Sequence, residues 1–141
     1  GLLHLAERSG LIQALANRIR PLLHFLFPGL PKKSSAFGPM GMNIAANLLG
    51  LGNAATPCGL KTMAELQKIN AKKDTASSAM ITFLVLNTSS LTLLPATIIA
   101  LRISTGSLNA GEIIMPAFLA SLFGLTVGLL ADAFLRKRRQ A

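Results

Sequence analysis

Apolar positions run along most of this chain, and the polar residues that interrupt them fall at unusual places. In residues 2–27, Leu2, Leu5, Leu11, Ile12, Leu15, Ala16 and Ile19 recur at helical spacing, while Arg8, Gln13, Asn17, Arg18 and Arg20 take the polar positions. Apolar residues three and four apart define one face of a helix. Pro21 breaks or restarts that helix, because proline has no N–H and crowds the preceding turn. Leu22 to Phe27 follows as a short apolar run. The pattern predicts a helix pair lying in a membrane interface, against the plainer reading of a soluble helix docked on a core. With the basic loop of Pro28, Gly29, Pro31, Lys32, Lys33 and Ser34, it forms an interfacial segment over 1–34.

Residues 35–51 are apolar with embedded Gly38, Pro39 and Gly41. Then comes a break of small and polar residues, Asn53-Ala54-Ala55-Thr56-Pro57. Thr56 is placed to cap a second helix with Pro57 at its first position; that helix runs toward Asn70. Lys72, Lys73 and Asp74 form the next loop. Residues 79–101 are long enough to span a bilayer, but Asn87, Thr88, Ser89, Ser90, Thr92 and Pro95 interrupt them. A polar loop, 102–111, leads to a clean apolar run over 113–131, close to the ~20 residues of a spanning helix. Arg136, Lys137, Arg138 and Arg139 close it.

Composition turns this pattern into a membrane protein. The chain is 51% hydrophobic and 13% charged, against about 25% charged in soluble domains. Its net charge of +9 does not point to nucleic acid: all seven aromatics are Phe in apolar contexts, and stacking platforms are missing. The basic residues instead give a topology by the positive-inside rule. The cluster at 136–139 is cytoplasmic, the loop at 102–111 is outside, and Lys68, Lys72 and Lys73 are cytoplasmic again. Lys32 and Lys33 want the same side, so the segment between them and Lys68 enters and leaves on one face as a re-entrant hairpin. Twelve residues from Met40 to Leu51 make a helix of about 18 Å, short of a ~30 Å hydrocarbon core. The tip, Gly52 to Thr56, then sits near mid-depth. Thr75 to Leu86 is equally long and puts Asn87 at a similar level.

The expected fold is all-α and integral to the membrane. It comprises an interfacial amphipathic helix, a re-entrant helical hairpin (35–70), one broken transmembrane helix (75–103), one regular transmembrane helix (111–135) and a basic cytoplasmic tail. Residues 35–141 form the membrane domain. Backbone breaks at membrane depth survive only where protein buries them or where they line a wet cavity. The candidate site is therefore Asn43, Asn47, Asn53 and Thr56 from the hairpin and Asn87, Thr88, Ser89 and Ser90 from the second break. Asn43, Asn47 and Gly50 share one helical face. Uncharged amides and hydroxyls suit a neutral polar solute or a small cation, and the second half-helix aims its positive end at the same place. The alternative is that the amides only hold helices together.

Ala120, Gly124 and Gly128 repeat every four residues, and this small-residue stripe reads as a helix-packing face. Asp132 is expected to pair with Arg136 one turn on, and Glu112 serves the N-terminal end of its helix. Cys58 is alone, and His4 and His24 lie far apart, so no disulfide, metal site or cofactor is expected. No nucleophile–base pair or phosphate loop appears, and no enzyme is read here.

Residues 42–57, Met-Asn-Ile-Ala-Ala-Asn-Leu-Leu-Gly-Leu-Gly-Asn-Ala-Ala-Thr-Pro, then Gly59-Leu60-Lys61 and Glu65-Leu66-Gln67, resemble the spore maturation protein A family. Asp74-Thr75-Ala76, Phe83-Leu84, Asn87 to Leu93 and Pro95 fit the same family. The resemblance is strong over about 42–102. It implies a protein of the bacterial inner membrane with a nucleoside recognition, or gate, domain; the charge topology makes it multi-pass with its C-terminus cytoplasmic. It also implies a sister protein, spore maturation protein B, and related gate segments in nucleoside transporters and in the ferrous iron transporter B core. Family members are longer at the N-terminus, so the chain, which starts at Gly1, is expected to be a fragment or the ordered part of something longer. The expected function is one half of a transporter-like gate unit for a small polar solute or ion. The other half comes from a partner like spore maturation protein B or from a homodimer. The competing class is a non-transporting membrane scaffold acting with a partner in spore maturation or dehydration, and a third is a soluble helical protein.

Overall fold

The computed structural model describes residues 10–140. Leu2, His4, Leu5 and Arg8 lie outside them, as do the side chains of Leu11, Arg138 and Arg139. Six α-helices follow one another: α1 Leu11–Leu26, α2 Phe37–Leu48, α3 Gly52–Lys68, α4 Ser78–Thr88, α5 Ala96–Ser104 and α6 Ile114–Gln140, the last entered through a 3-10 turn at Ala110–Ile113. The protein is all-α over these residues.

Helix α1 has the amphipathic face read from its spacing. Ile12, Ala16 and Leu23 are buried, and Gln13, Asn17, Arg18 and Arg20 are exposed. Pro21 does not divide it: the helix runs through to Leu26. The hydrogen bond that Pro21 forfeits belongs to the Asn17 carbonyl, and both residues are exposed, so solvent can satisfy that group. Between α1 and α2 the backbones come close. A Cβ added at Gly41 would stand 3.3 Å from the Ala16 carbonyl oxygen.

Helices α2 and α3 form an antiparallel hairpin. At its open end the Ser35 hydroxyl donates to the Glu65 carboxylate, so the hairpin's two ends lie side by side. Phe37, Met40, Leu66 and Phe83 join Leu23 and Phe27 in a core shared by α1, α2, α3 and α4. A second cluster, Ile12, Ala16, Ala45, Ala46, Leu51 and Ala55, fills the turn end.

The chain reverses at Leu49–Leu51, ahead of the expected tip at Gly52 to Thr56, which is helical. Gly50 has φ +67°. Its N–H donates to the Asn47 carbonyl, and the Leu51 N–H donates to the Ala46 carbonyl. Those two bonds, with Leu51 packed beside Ala46, are a Schellman motif closing α2. Helix α3 therefore starts at Gly52 with Leu51 as its cap, and Pro57 lies inside it instead of at its first position. Thr56 does not cap: its hydroxyl donates to the Gly52 carbonyl within the helix, at 3.0 Å. Glycine at the left-handed position outweighs the threonine–proline start signal because no side chain fits there.

Helix α4 starts with Ser77, whose hydroxyl accepts from the Met80 N–H. It ends at Thr88, and residues 89–95 cross to α5. Helix α6 runs antiparallel to α4: Thr82 meets Asp132, Ser89 and Val85 meet Gly128, and the Thr92 N–H meets the Ser121 hydroxyl. Its apolar stretch has a mean hydropathy of 2.2, is long enough to cross a membrane, and has no buried residue in that window. Met115, Leu119, Phe123, Leu130 and Phe134 all point outward.

A Cβ at Gly50 would stand 2.2 Å from the Leu94 carbonyl oxygen, while one at Gly52 would meet nothing within 4 Å. Gly50→Ala is therefore expected to destabilise the protein by more than ~2 kcal/mol, through strain and overlap together. Gly52→Ala should change it by less than ~1 kcal/mol. Thermal unfolding of both variants in detergent checks the contrast.

Candidate functional site

Two ends of broken helix meet here. Helix α2 stops at Leu48, and its last carbonyls have no partner within the helix. The connection after α4 supplies partners. The Leu48 carbonyl accepts from the Leu93 N–H at 2.9 Å and the Leu94 N–H at 3.2 Å. The Gly50 carbonyl accepts from the Thr97 hydroxyl at 3.0 Å, from the first turn of α5. Pro95 is buried beneath this crossing. The second interruption is a true break between two helices, not a kink in one.

An amide ladder runs beside that crossing. Asn43 is fully buried, and its Nδ2 donates to the Ala55 carbonyl in the first turns of α3 at 2.8 Å. Asn47, one turn on, donates from Nδ2 to Asn43 Oδ1 at 3.4 Å and to Asn87 Oδ1 at 2.9 Å. The ladder thus spans α3, α2 and α4. It is possible because Asn43 and Asn47 are one helical turn apart and because Gly59 leaves room. A Cβ there would stand 2.9 Å from Asn43 Nδ2.

Open clefts lie against the ladder. One, of about 370 Å³, is lined by Asn47, Gly50, Ser90, Thr92, Pro95 and Thr97 among others. Another, of about 530 Å³, is lined by Asn47, Thr56, Gly59 and Asn87 with Leu60 and Phe83. Asn47 and Gly52 line both. Gly52 is the first residue of α3, so the positive end of that helix borders both clefts, although the Ala54 and Ala55 N–H groups already donate to the Leu51 carbonyl. Amides that both donate and accept, beside a helix N-terminus, can bind a neutral polar group or an anionic oxygen.

The structure brings Asn43, Asn47, Thr56, Asn87 and Ser90 to this place. Asn53 is exposed and lines neither cleft. The Thr88 hydroxyl turns back to the Leu84 carbonyl at 2.8 Å. Ser89 faces α6, where a Cβ on Gly128 would stand 2.9 Å from its hydroxyl. Of the small-residue stripe, Gly128 is in contact with α4, Gly124 has open space, and Ala120 is exposed. Gly59, Thr97 and Ser121 complete this region without belonging to the polar strip that the sequence predicts. Thr97 had a local signal, as a hydroxyl two residues after a helix-breaking proline.

A second polar cluster joins α4 to α6. Asp132 is buried. Its Oδ2 accepts from the Thr82 hydroxyl at 2.8 Å and pairs with Arg136 Nε at 3.2 Å. That is the expected i,i+4 pair, with a threonine from the neighbouring helix added. Among the described residues no group of three or more His, Cys, Asp or Glu could hold a metal ion.

The hairpin and the broken helix thus share backbone hydrogen bonds. The family model described as Gate, nucleoside recognition, matches residues 1–105. Over 140 residues the chain is 41% identical to spore maturation protein A of Bacillus subtilis, covering 99% of this chain and 71% of that protein. The chain belongs to the spore maturation protein A family, with its nucleoside recognition domain. No solved structure matches it.

Gly59→Ala should push the Asn43 amide off the Ala55 carbonyl and cost about 1–3 kcal/mol, the penalty for an unsatisfied buried polar group. Asn53→Ala, at an exposed position, should cost less than ~0.5 kcal/mol. Equal unfolding midpoints for the two variants would contradict the ladder.

Proposed function

We propose that this chain is one half of a transporter-like gate unit in a bacterial inner membrane, acting on a small polar solute or ion. The amide ladder carries this reading. Asn43, Asn47 and Asn87 join the two helix breaks, and Asn47 borders a cleft on each of two flanks. Broken helices that meet around uncharged polar groups are the usual substrate sites of secondary transporters. In this reading the solute takes hydrogen bonds from Asn47 and Asn87, with Thr56 and Ser90 at the cleft walls. Asn53, Thr88 and Ser89 serve the tips. The mechanism is gating around a fixed site, without bond chemistry.

Membrane placement rests on the outward-facing apolar surface of α6 and on charge. The hairpin's two ends, closed by Ser35 and Glu65, carry Lys32 and Lys33 on one side and Lys68 on the other. Arg136 and Lys137 on α6 lie beside the start of α4. All belong on the cytoplasmic face. With 12 residues, α2 is about 18 Å long, too short to span, so the Schellman turn sits within the bilayer. One hairpin is half of a two-repeat design. A partner like spore maturation protein B, or a second copy, supplies the other half. The exposed apolar face of α6 also favours a second reading, a membrane scaffold in spore maturation that transports nothing.

The test is a thermal-shift screen of the purified chain with its partner against nucleosides, nucleobases, dicarboxylates and metal ions. The gate reading expects at least one class to raise the melting temperature; saturation a hundredfold above Kd is worth about 2.7 kcal/mol. The double variant Asn47→Ala, Asn87→Ala should lose that response while still inserting into membranes. An unchanged response would remove the site from the ladder. No response to any solute would favour the scaffold.

A further inference from the structure

A third cavity, of about 490 Å³, lies at the basic end, away from the amide ladder. Phe27, Leu30 and Ile69 form its apolar walls, and Ser77, Ser78 and Arg136 its polar ones. Arg136 Nε pairs with Asp132 Oδ2 at 3.2 Å, and the two terminal guanidinium nitrogens make no hydrogen bond among the described residues. A carboxylate thus holds one edge of this forked guanidinium, which lines the cavity and also the groove between α4 and α6. Such a fork matches the oxygens of a phosphate. The Ser77 hydroxyl accepts from the Met80 N–H, so its proton remains available to donate.

The flanking chain is strongly basic. Lys32 and Lys33 follow the loop that forms one wall, and Lys72 precedes the α4 start that forms the other. All three are exposed, and their ammonium groups carry no hydrogen bond among the described residues; the Lys72 carbonyl accepts from Asn70 Nδ2 and the Thr75 N–H. Lys68 and Lys73 are committed elsewhere. Lys68 pairs with Glu65 at 2.6 Å, and Lys73 binds the Gln67 and Lys68 carbonyls at the end of α3. Three uncommitted lysines on the segments that flank the cavity, with one guanidinium in its lining and apolar walls below, complement an amphiphile with an anionic head.

We propose that this cavity binds the phosphate of an anionic phospholipid headgroup. Arg136 is the phosphate ligand, with Ser77 as a hydroxyl donor. Lys32, Lys33 and Lys72 supply the surrounding field, and Phe27, Leu30 and Ile69 meet the first methylenes of the chains. Asp132 and Thr82 act as positioning residues for Arg136. The site shares the membrane orientation of the proposed function but not its solute. Its failure alone, with a solute response intact, leaves the gate reading standing.

The test uses the full chain in a zwitterionic detergent, titrated with phosphatidylglycerol, phosphatidylcholine or inorganic phosphate. Melting temperature and lipid retention in native mass spectrometry are the readouts. Phosphatidylglycerol should raise the melting temperature and stay bound, phosphatidylcholine, which has the same phosphate but no net charge, should do so far more weakly, and the response should weaken at high salt. Arg136→Gln should weaken phosphatidylglycerol binding at least tenfold. Lys32→Gln and Lys33→Gln, which leave the Asp132 pair intact, should each weaken it roughly fivefold; they decide the matter if Arg136→Gln does not fold. Equal responses to the two lipids would overturn the proposal. So would an equal response to inorganic phosphate, which would make this a soluble-anion site, or lysine variants that bind as well as the parent.

Discussion

The structure turns on the carbonyl groups at the end of α2. A helix that stops leaves several backbone acceptors without partners, and in an apolar setting each unsatisfied group costs several kcal/mol. Here the Schellman turn at Gly50 satisfies two of them locally. The Leu48 carbonyl is met by a different interruption in the chain, where Leu93 and Leu94 donate to it, and Thr97 donates to the Gly50 carbonyl in the turn. Each break answers the other's unpaired groups. Gly50 is where this becomes obligatory, since its backbone is left-handed and lies too close to Leu94 for a Cβ.

The amide ladder follows from that juxtaposition. Once α4 ends beside α2, Asn87 comes within reach of Asn47, and Asn47 of Asn43. Asn43 then ties the ladder to the start of α3 across the space left by Gly59. A rigid structural seam and a polar lining are built from the same groups. This double use matters for function. Asn43 is fully buried and bonded to backbone, so its role is to hold. Asn47 and Asn87 border open clefts, and in the proposed gate reading theirs are the bonds exchanged with a solute. Similarly, α6 is held to the rest by few polar points, Asp132 with Thr82 and Ser121 with Thr92, while most of its apolar surface faces outward.

The helices and their order were legible because their hydrophobic runs are long and their loops are basic or glycine-rich. The face shared by Asn43 and Asn47 was legible from spacing, as was the Asp132–Arg136 pair. The exact turn was not. Thr56-Pro57 is a strong local start signal, but Gly50-Leu51 forms a cap whose apolar contact depends on Ala45 and Ala46 in the folded hairpin. Pro21 looked like a breaker and is carried within α1, because the exposed side of a helix tolerates a lost bond. Gly59 falls within the Gly59-Leu60-Lys61 segment of the family resemblance, but nothing local marks it as a contact. Its importance comes from Asn43, sixteen positions earlier in the chain, which only the hairpin brings opposite it.

The central claim is that the two chain breaks are bonded to each other. Cysteines placed at Leu48 and Leu94, in a Cys58→Ser background and in native membranes, test it directly with a short bifunctional thiol reagent. The account predicts an efficient intramolecular cross-link at this pair and little at Leu48 with Leu108, beyond the far end of α5. A Leu48–Leu94 pair that fails to link while both thiols remain reactive would contradict it.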